Sequence, residues 1–68
     1  MNEEFGTVKA RTDKGYGFIR PADGSGDVFF HASALSGIEY DDIRTGDAVR
    51  FTRGPDTRPR AESVRLAG

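Results

Sequence analysis

Two short stretches decide the fold: Lys14-Gly15-Tyr16-Gly17-Phe18-Ile19-Arg20 and, six residues on, Asp27-Val28-Phe29-Phe30-His31. Neither carries the 3.6-residue stripe of a helix. Both alternate, as strands do, because successive side chains on a strand point to opposite faces. In the first stretch Tyr16 and Phe18 share a face and Ile19 takes the other. In the second, Val28 and Phe30 oppose Phe29 and His31. Pro21 ends the first strand, and Ala22-Asp23-Gly24-Ser25-Gly26 between the two is a dense turn signal. The pair therefore reads as a hairpin over 15–20 and 27–31.

Working outward, Phe5 to Thr12 reads as the preceding strand. Ala32 to Leu35 reads as a single helical turn, and residues 36–47 as a long polar connection. Ala48 to Arg53 and Arg60 to Leu66 read as two more strands, separated by the turn cluster Gly54-Pro55-Asp56-Thr57-Arg58-Pro59. Alternation selects one core: Val8, Ile19, Val28, Phe30, Val49, Phe51, Val64 and Leu66, with Leu35 and Ile43 as caps. Five short strands around one core predict an all-β, partly open antiparallel barrel, since closure hides sheet edges.

Length and composition bound what such a barrel can do. Sixty-eight residues, 35% hydrophobic and 31% charged, make one small domain of marginal stability. It has little room for a catalytic pocket, so a binding module is favoured over an enzyme. With no cysteine and one histidine, neither a disulfide scaffold nor a usual zinc site is available, and no metal or cofactor is expected. No apolar run is long enough to span a membrane, and Met-Asn-Glu-Glu does not open a signal peptide. A cytoplasmic monomer is the expectation. The net charge is −1, so attraction to a polyanion must come from a local patch. The cations are eight arginines and two lysines. That bias suits nucleic acid, although genomic base composition produces it equally well.

The informative residues are those left outside the core. Tyr16, Phe18, Phe29 and His31 lie on the outer face of adjacent strands, flanked by Lys9, Arg11, Lys14 and Arg20. Lys9 and Arg11 share a parity on the first strand. Rings interleaved with cations suit single-stranded nucleic acid: bases stack on the rings and cations meet the phosphates. Each piece has a bland reading beside it. Phe18 or Phe29 is ordinary core if the parity slips by one. Tyr16 alone is a cross-strand partner, His31 a hydrogen-bonded surface histidine, Lys14 a solvated turn charge. The glycines alternating with aromatics at 15 and 17 favour the binding reading, because small inner-face residues let the sheet coil tightly.

These residues also carry a family resemblance. Lys14-Gly15-Tyr16-Gly17-Phe18-Ile19 resembles the first ribonucleoprotein motif of the cold-shock domain family, and Asp27-Val28-Phe29-Phe30-His31 resembles the second. Gly6 to Lys9, Ser33 to Leu35, Gly46 to Phe51 and Pro59 to Val64 are similar to other segments of that family, so the likeness spans about residues 6–66. It implies a five-stranded OB-fold barrel that binds single-stranded RNA and DNA and acts as an RNA chaperone. It implies binding positions at Lys9, Lys14, Tyr16, Phe18, Phe29 and His31, and a base-stacking aromatic at Tyr40. There are departures. The family's bacterial members usually read Lys-Trp-Phe where this chain has Lys9-Ala10-Arg11, and Phe where it has Ala32. They generally have Val in place of Phe30. Two stacking positions are therefore alanine, and Arg11 is expected to offset part of the loss. Arg53, Arg58 and Arg60 around the last hairpin are further candidate phosphate contacts; the bland reading is a solvated loop. Phe5 reads as a cover for one end of the barrel or an ordered tail contact.

The competing class is a protein-interaction module on the same barrel, in which the lost Trp and Phe mark a weakened nucleic-acid face and Glu39, Asp41 and Asp42 help choose a partner. An enzyme ranks third: Asp27 and His31 stand roughly 13 Å apart along one strand, beyond hydrogen-bond reach.

Overall fold

The computed structural model describes residues 3–54 and 60–67. Its strands are β1 (Glu4–Arg11), β2 (Tyr16–Pro21), β3 (Val28–His31), β4 (Ala48–Arg53) and β5 (Ala61–Leu66), with single 3₁₀ turns at Ala32–Ala34 and Tyr40–Asp42. They form one sheet in the order β3-β2-β1-β4-β5, with every neighbouring pair antiparallel. Parallel bridges from Phe29 to Arg60 and from Leu35 to Val64 bring the two edges together into a barrel. The expected all-β barrel is what the chain forms. Among the described residues no helix is long and apolar enough to cross a membrane.

The core is Val8, Ile19, Val28, Phe30, Ile43, Val49, Phe51, Ala61 and Val64, each almost fully buried. Ile43, expected as a cap, is part of its centre, whereas Leu35 packs only partly buried against it. Leu66 corrects the expectation: it is 44% exposed. It keeps its place opposite Val49, but it is the last residue of β5, two positions past the Leu35–Val64 bridge.

Two register shifts reshape the faces. In the β1–β2 ladder Val8 pairs with Ile19 and Ala10 with Phe18, so Lys9 is an extra residue, a bulge. In the β4–β5 ladder Thr52 pairs with Ser63 and Arg53 with Ala61, so Glu62 is extra. The second bulge turns Ala61 inward, where strict alternation would have sent Glu62. A charge is thereby kept out of the core, and the small Ala61 side chain is buried in its place.

Phe30 and Phe51 are the largest buried side chains, and the fit of Phe30 depends on Gly17 across the ladder. A Cβ on Gly17 would lie 2.8 Å from the Phe30 ring and 2.5 Å from the Ala10 carbonyl oxygen. The ring is fully buried and the carbonyl is backbone, so neither gives way freely. Gly17→Ala is therefore expected to cost about 1–3 kcal/mol, as overpacking of a filled core does, measured as a lowered urea midpoint at unchanged slope.

At the β2–β3 turn, hydrogen bonds from the Ser25 hydroxyl and amide hold the Asp23 carboxyl below its ordinary range. Arg53 ties the same turn down: it donates to Ser25 Oγ at 3.0 Å and to both carboxylate oxygens of Glu4 at 2.7 and 3.1 Å. Arg53, a candidate phosphate contact from sequence, is thus already engaged within the fold.

Candidate nucleic-acid interface

β2 and β3 place three rings on the outside of the barrel. Phe18 stands opposite Phe29 and Tyr16 opposite His31, while their sequence neighbours Ile19, Val28 and Phe30 face inward with no exposed surface. The ring centroids form a compact triangle: Tyr16–Phe29 5.5 Å, Phe18–Phe29 6.0 Å and Tyr16–Phe18 6.3 Å. The Tyr16 and Phe29 rings are tilted by only 31°, whereas Phe18 meets both edge-on. The rings half-bury one another, and the outer side of the cluster remains open. Edge-to-face and tilted pairs of this kind add some stability, so the cluster exists before any ligand arrives.

His31 extends the row. Its Nδ1 accepts the Ser33 backbone N–H at 3.1 Å, which assigns the proton of the neutral ring to Nε2. The ring is thereby anchored at one nitrogen, with the other left as a donor.

The cations sort differently from the sequence expectation. Lys14 is exposed in the β1–β2 turn beside the cluster. Lys9, the bulge residue, reaches across β2 to Asp27 at 2.7 Å, an exposed ion pair that a phosphate could compete for. Arg60 is exposed next to Phe29 at the closing bridge. Arg58 lies outside the described residues.

Arg11 corrects the parity reading. The bulge at Lys9 places Arg11 opposite Gly17, on the inward side, and Ala10 opposite Phe18 on the aromatic face. The Arg11 guanidinium lies 4.5 Å from the centre of the Tyr40 ring and 4.0 Å from Asp41. It is not beside the three rings and does not stand in for the missing aromatic there.

Tyr40 departs in the same way. Its ring sits 6.4 Å from that of Phe30, against the core. Its hydroxyl is 2.6 Å from the carbonyl oxygens of both Thr12 and Tyr16 and accepts the Thr12 N–H at 3.1 Å. It pins the long 36–47 connection to the end of the β1–β2 hairpin and does not extend the three-ring cluster. Tyr40→Phe is expected to cost about 0.5–1.5 kcal/mol of stability through the lost hydroxyl, read from urea melts. Oligonucleotide affinity should stay within twofold, an outcome that a stacking role served by the hydroxyl-fixed ring would violate.

Strand alternation thus placed the rings, but it had no means of counting the Lys9 bulge. Ala10 is the residue this changes most. Its methyl group occupies the outer-face position next to Phe18, where a larger side chain would widen the platform.

Comparison with known proteins agrees with this geometry. The family described as "'Cold-shock' DNA-binding domain" matches residues 4–67. The major cold shock protein of Micrococcus luteus is 49% identical over 47 residues, covering 68% of this chain and 70% of that protein. Cold shock protein 1 of Arabidopsis thaliana is 44% identical over 57 residues, 81% of this chain but only 19% of that much longer protein. The solved structure of Drosophila Unr CSD456 superposes on 98% of this chain and 27% of its own, with a TM-score of 0.81 at 26% identity. A likeness that runs from the first residue of β1 through the end of β5 includes both aromatic strands and the bulged strand between them and β4, so the chain belongs to the cold-shock domain family.

Proposed function

We propose that this chain binds single-stranded RNA and DNA through the outer face of β2 and β3, with little sequence preference, and acts as a non-catalytic RNA chaperone. The observation that carries the reading is the Tyr16–Phe18–Phe29 triangle: three rings that the core does not use, packed within 6.3 Å of one another and open on one side. Unpaired bases stack on the rings, His31 lengthens the row and offers its Nε2–H, and Lys14, Lys9 and Arg60 meet phosphates. Every base has a π-face, so stacking tolerates sequence. The duplex hides those faces. Binding to open strands alone therefore shifts hairpins toward the unpaired form by mass action, with no energy source needed. The protein works as a monomer in the cytoplasm.

The test is a titration with heptathymidine and with a U-rich RNA at low salt, set against a duplex of the same length. Tight binding of the single strands and weak binding of the duplex is the expected result. A folded protein that binds neither would overturn the proposal and favour a protein partner for the aromatic face. Lys14→Ala should lower affinity and flatten the dependence of log K on log salt by about 0.7, the value for one phosphate contact on a single strand. Ala10→Trp should tighten binding, because it adds a ring beside Phe18; about 1 kcal/mol or more is expected, a fivefold or larger drop in Kd.

A further inference from the structure

A second group of residues on the outside of the barrel has the chemistry of the aromatic face and no place in the core. Phe5 on β1 is 53% exposed, the most open large apolar side chain among the described residues. Across the ladder, Arg50 on β4 lays its guanidinium 5.1 Å from the centre of the Phe5 ring. Arg65 on β5 is the next residue in the row, opposite Arg50. One carboxylate serves both arginines. Glu3 lies 2.8 and 2.9 Å from Arg65 Nη2 through its two oxygens and 3.8 Å from Arg50 Nη1. Arg50 Nε is buried and has no hydrogen-bond partner. Two cations of adjacent strands thus converge on one anion, beside a ring that Arg50 overlies and that stays half exposed.

Resting on the single-strand reading of the β2–β3 face, we propose that Phe5, Arg50 and Arg65 form a second contact for the same strand. The phosphate of a nucleotide beyond the platform takes the place that the Glu3 carboxylate holds in the free protein, and its base lies on Phe5. Both contacts lie on the outside of the barrel and are joined along β1, which pairs with β2 on one side and β4 on the other. Phe5 and Thr7 share the outer face of β1, Thr7 stands opposite Arg20 of β2, and a groove lined by Thr7, Lys9, Arg20, Thr45 and Gly46 lies along the route. From Ala10, beside Phe18, to Phe5 is five residues of strand, roughly 17 Å, a gap that a few nucleotides cross. Charge complementarity favours a polyanion over an apolar partner: the ring is flanked by two arginines, and the one acid among them is the group a phosphate replaces. Glu3 is then a built-in competitor that weakens binding to long strands while leaving short ones alone.

The experiment compares pentathymidine, which fills the platform and falls short of Phe5, with dodecathymidine, which reaches it. Phe5→Ala should loosen dodecathymidine about fivefold or more and leave pentathymidine unchanged. Glu3→Gln should tighten dodecathymidine severalfold and steepen its salt dependence by about 0.7. Glu39→Gln, an equal change of net charge on the distant 36–47 connection, controls for bulk electrostatics and should do neither. If Phe5→Ala and Glu3→Gln both match the parent on dodecathymidine, or shift both oligomers alike, the second contact does not exist, although the platform reading stands. Loss of pentathymidine binding in the parent protein itself would instead remove the platform reading, and this contact with it.

Discussion

Replacing Phe18 and Phe29 together by alanine should abolish most of the affinity for a short single strand. Each ring offers a stacking face worth about 1–3 kcal/mol per base, so the pair contributes on the order of 2–6 kcal/mol. Even the lower figure is a change of roughly thirtyfold in Kd. The fold should survive. Both rings stand half-buried on the outer face, packed against each other and Tyr16, and neither belongs to the core cluster around Val8, Ile19 and Val49. What is lost on the protein side is the ring–ring contact, about 0.5–1.5 kcal/mol. Fluorescence titration of heptathymidine, with a thermal melt of the same sample, separates the two effects. A doubly substituted protein that melts near the parent temperature and still binds as tightly would remove the platform from the mechanism.

The next residue along the chain should behave in the opposite way. Phe30→Ala removes a ring with no exposed surface from a core of nine buried residues among those described. Truncations of this kind cost about 3–5 kcal/mol through lost burial and the cavity left behind. A domain of this length holds only about 5 kcal/mol in total. Much of the Phe30→Ala protein should therefore be unfolded at 37 °C, with a urea midpoint shifted far toward zero. Phe29→Ala, one position away, should move that midpoint little. Equal destabilisation by the two would mean that the alternation of β3 does not separate an inner from an outer face. The Gly17 contact adds a finer check. In a Phe30→Val background, Gly17→Ala should cost less than in the parent, because one of its two close contacts is gone. It should not become free, because the Ala10 carbonyl oxygen stays in place.

The division of rings between core and surface on β2 and β3 was legible from residue order alone, since period-two alternation is local and these strands pair without a register shift. Lys14-Gly15-Tyr16-Gly17-Phe18-Ile19 and Asp27-Val28-Phe29-Phe30-His31 therefore yielded both the hairpin and its aromatic face. The same rule misplaced Arg11 and passed over Ala61. In each case a bulge intervenes, at Lys9 and at Glu62. A bulge is a mismatch in count between two strands. It belongs to the pair, and neither strand announces it separately. Tyr40 was beyond reach for a related reason: its hydroxyl meets carbonyls 28 and 24 residues away, a contact that the path of the long connection creates. Glu3, Arg50 and Arg65 are likewise unremarkable charges until β1, β4 and β5 are laid side by side. Local chemistry fixed which strands exist and which way their side chains point between irregularities. The barrel's closure fixed where the irregularities fall, because only there do lengths of chain far apart in sequence have to match.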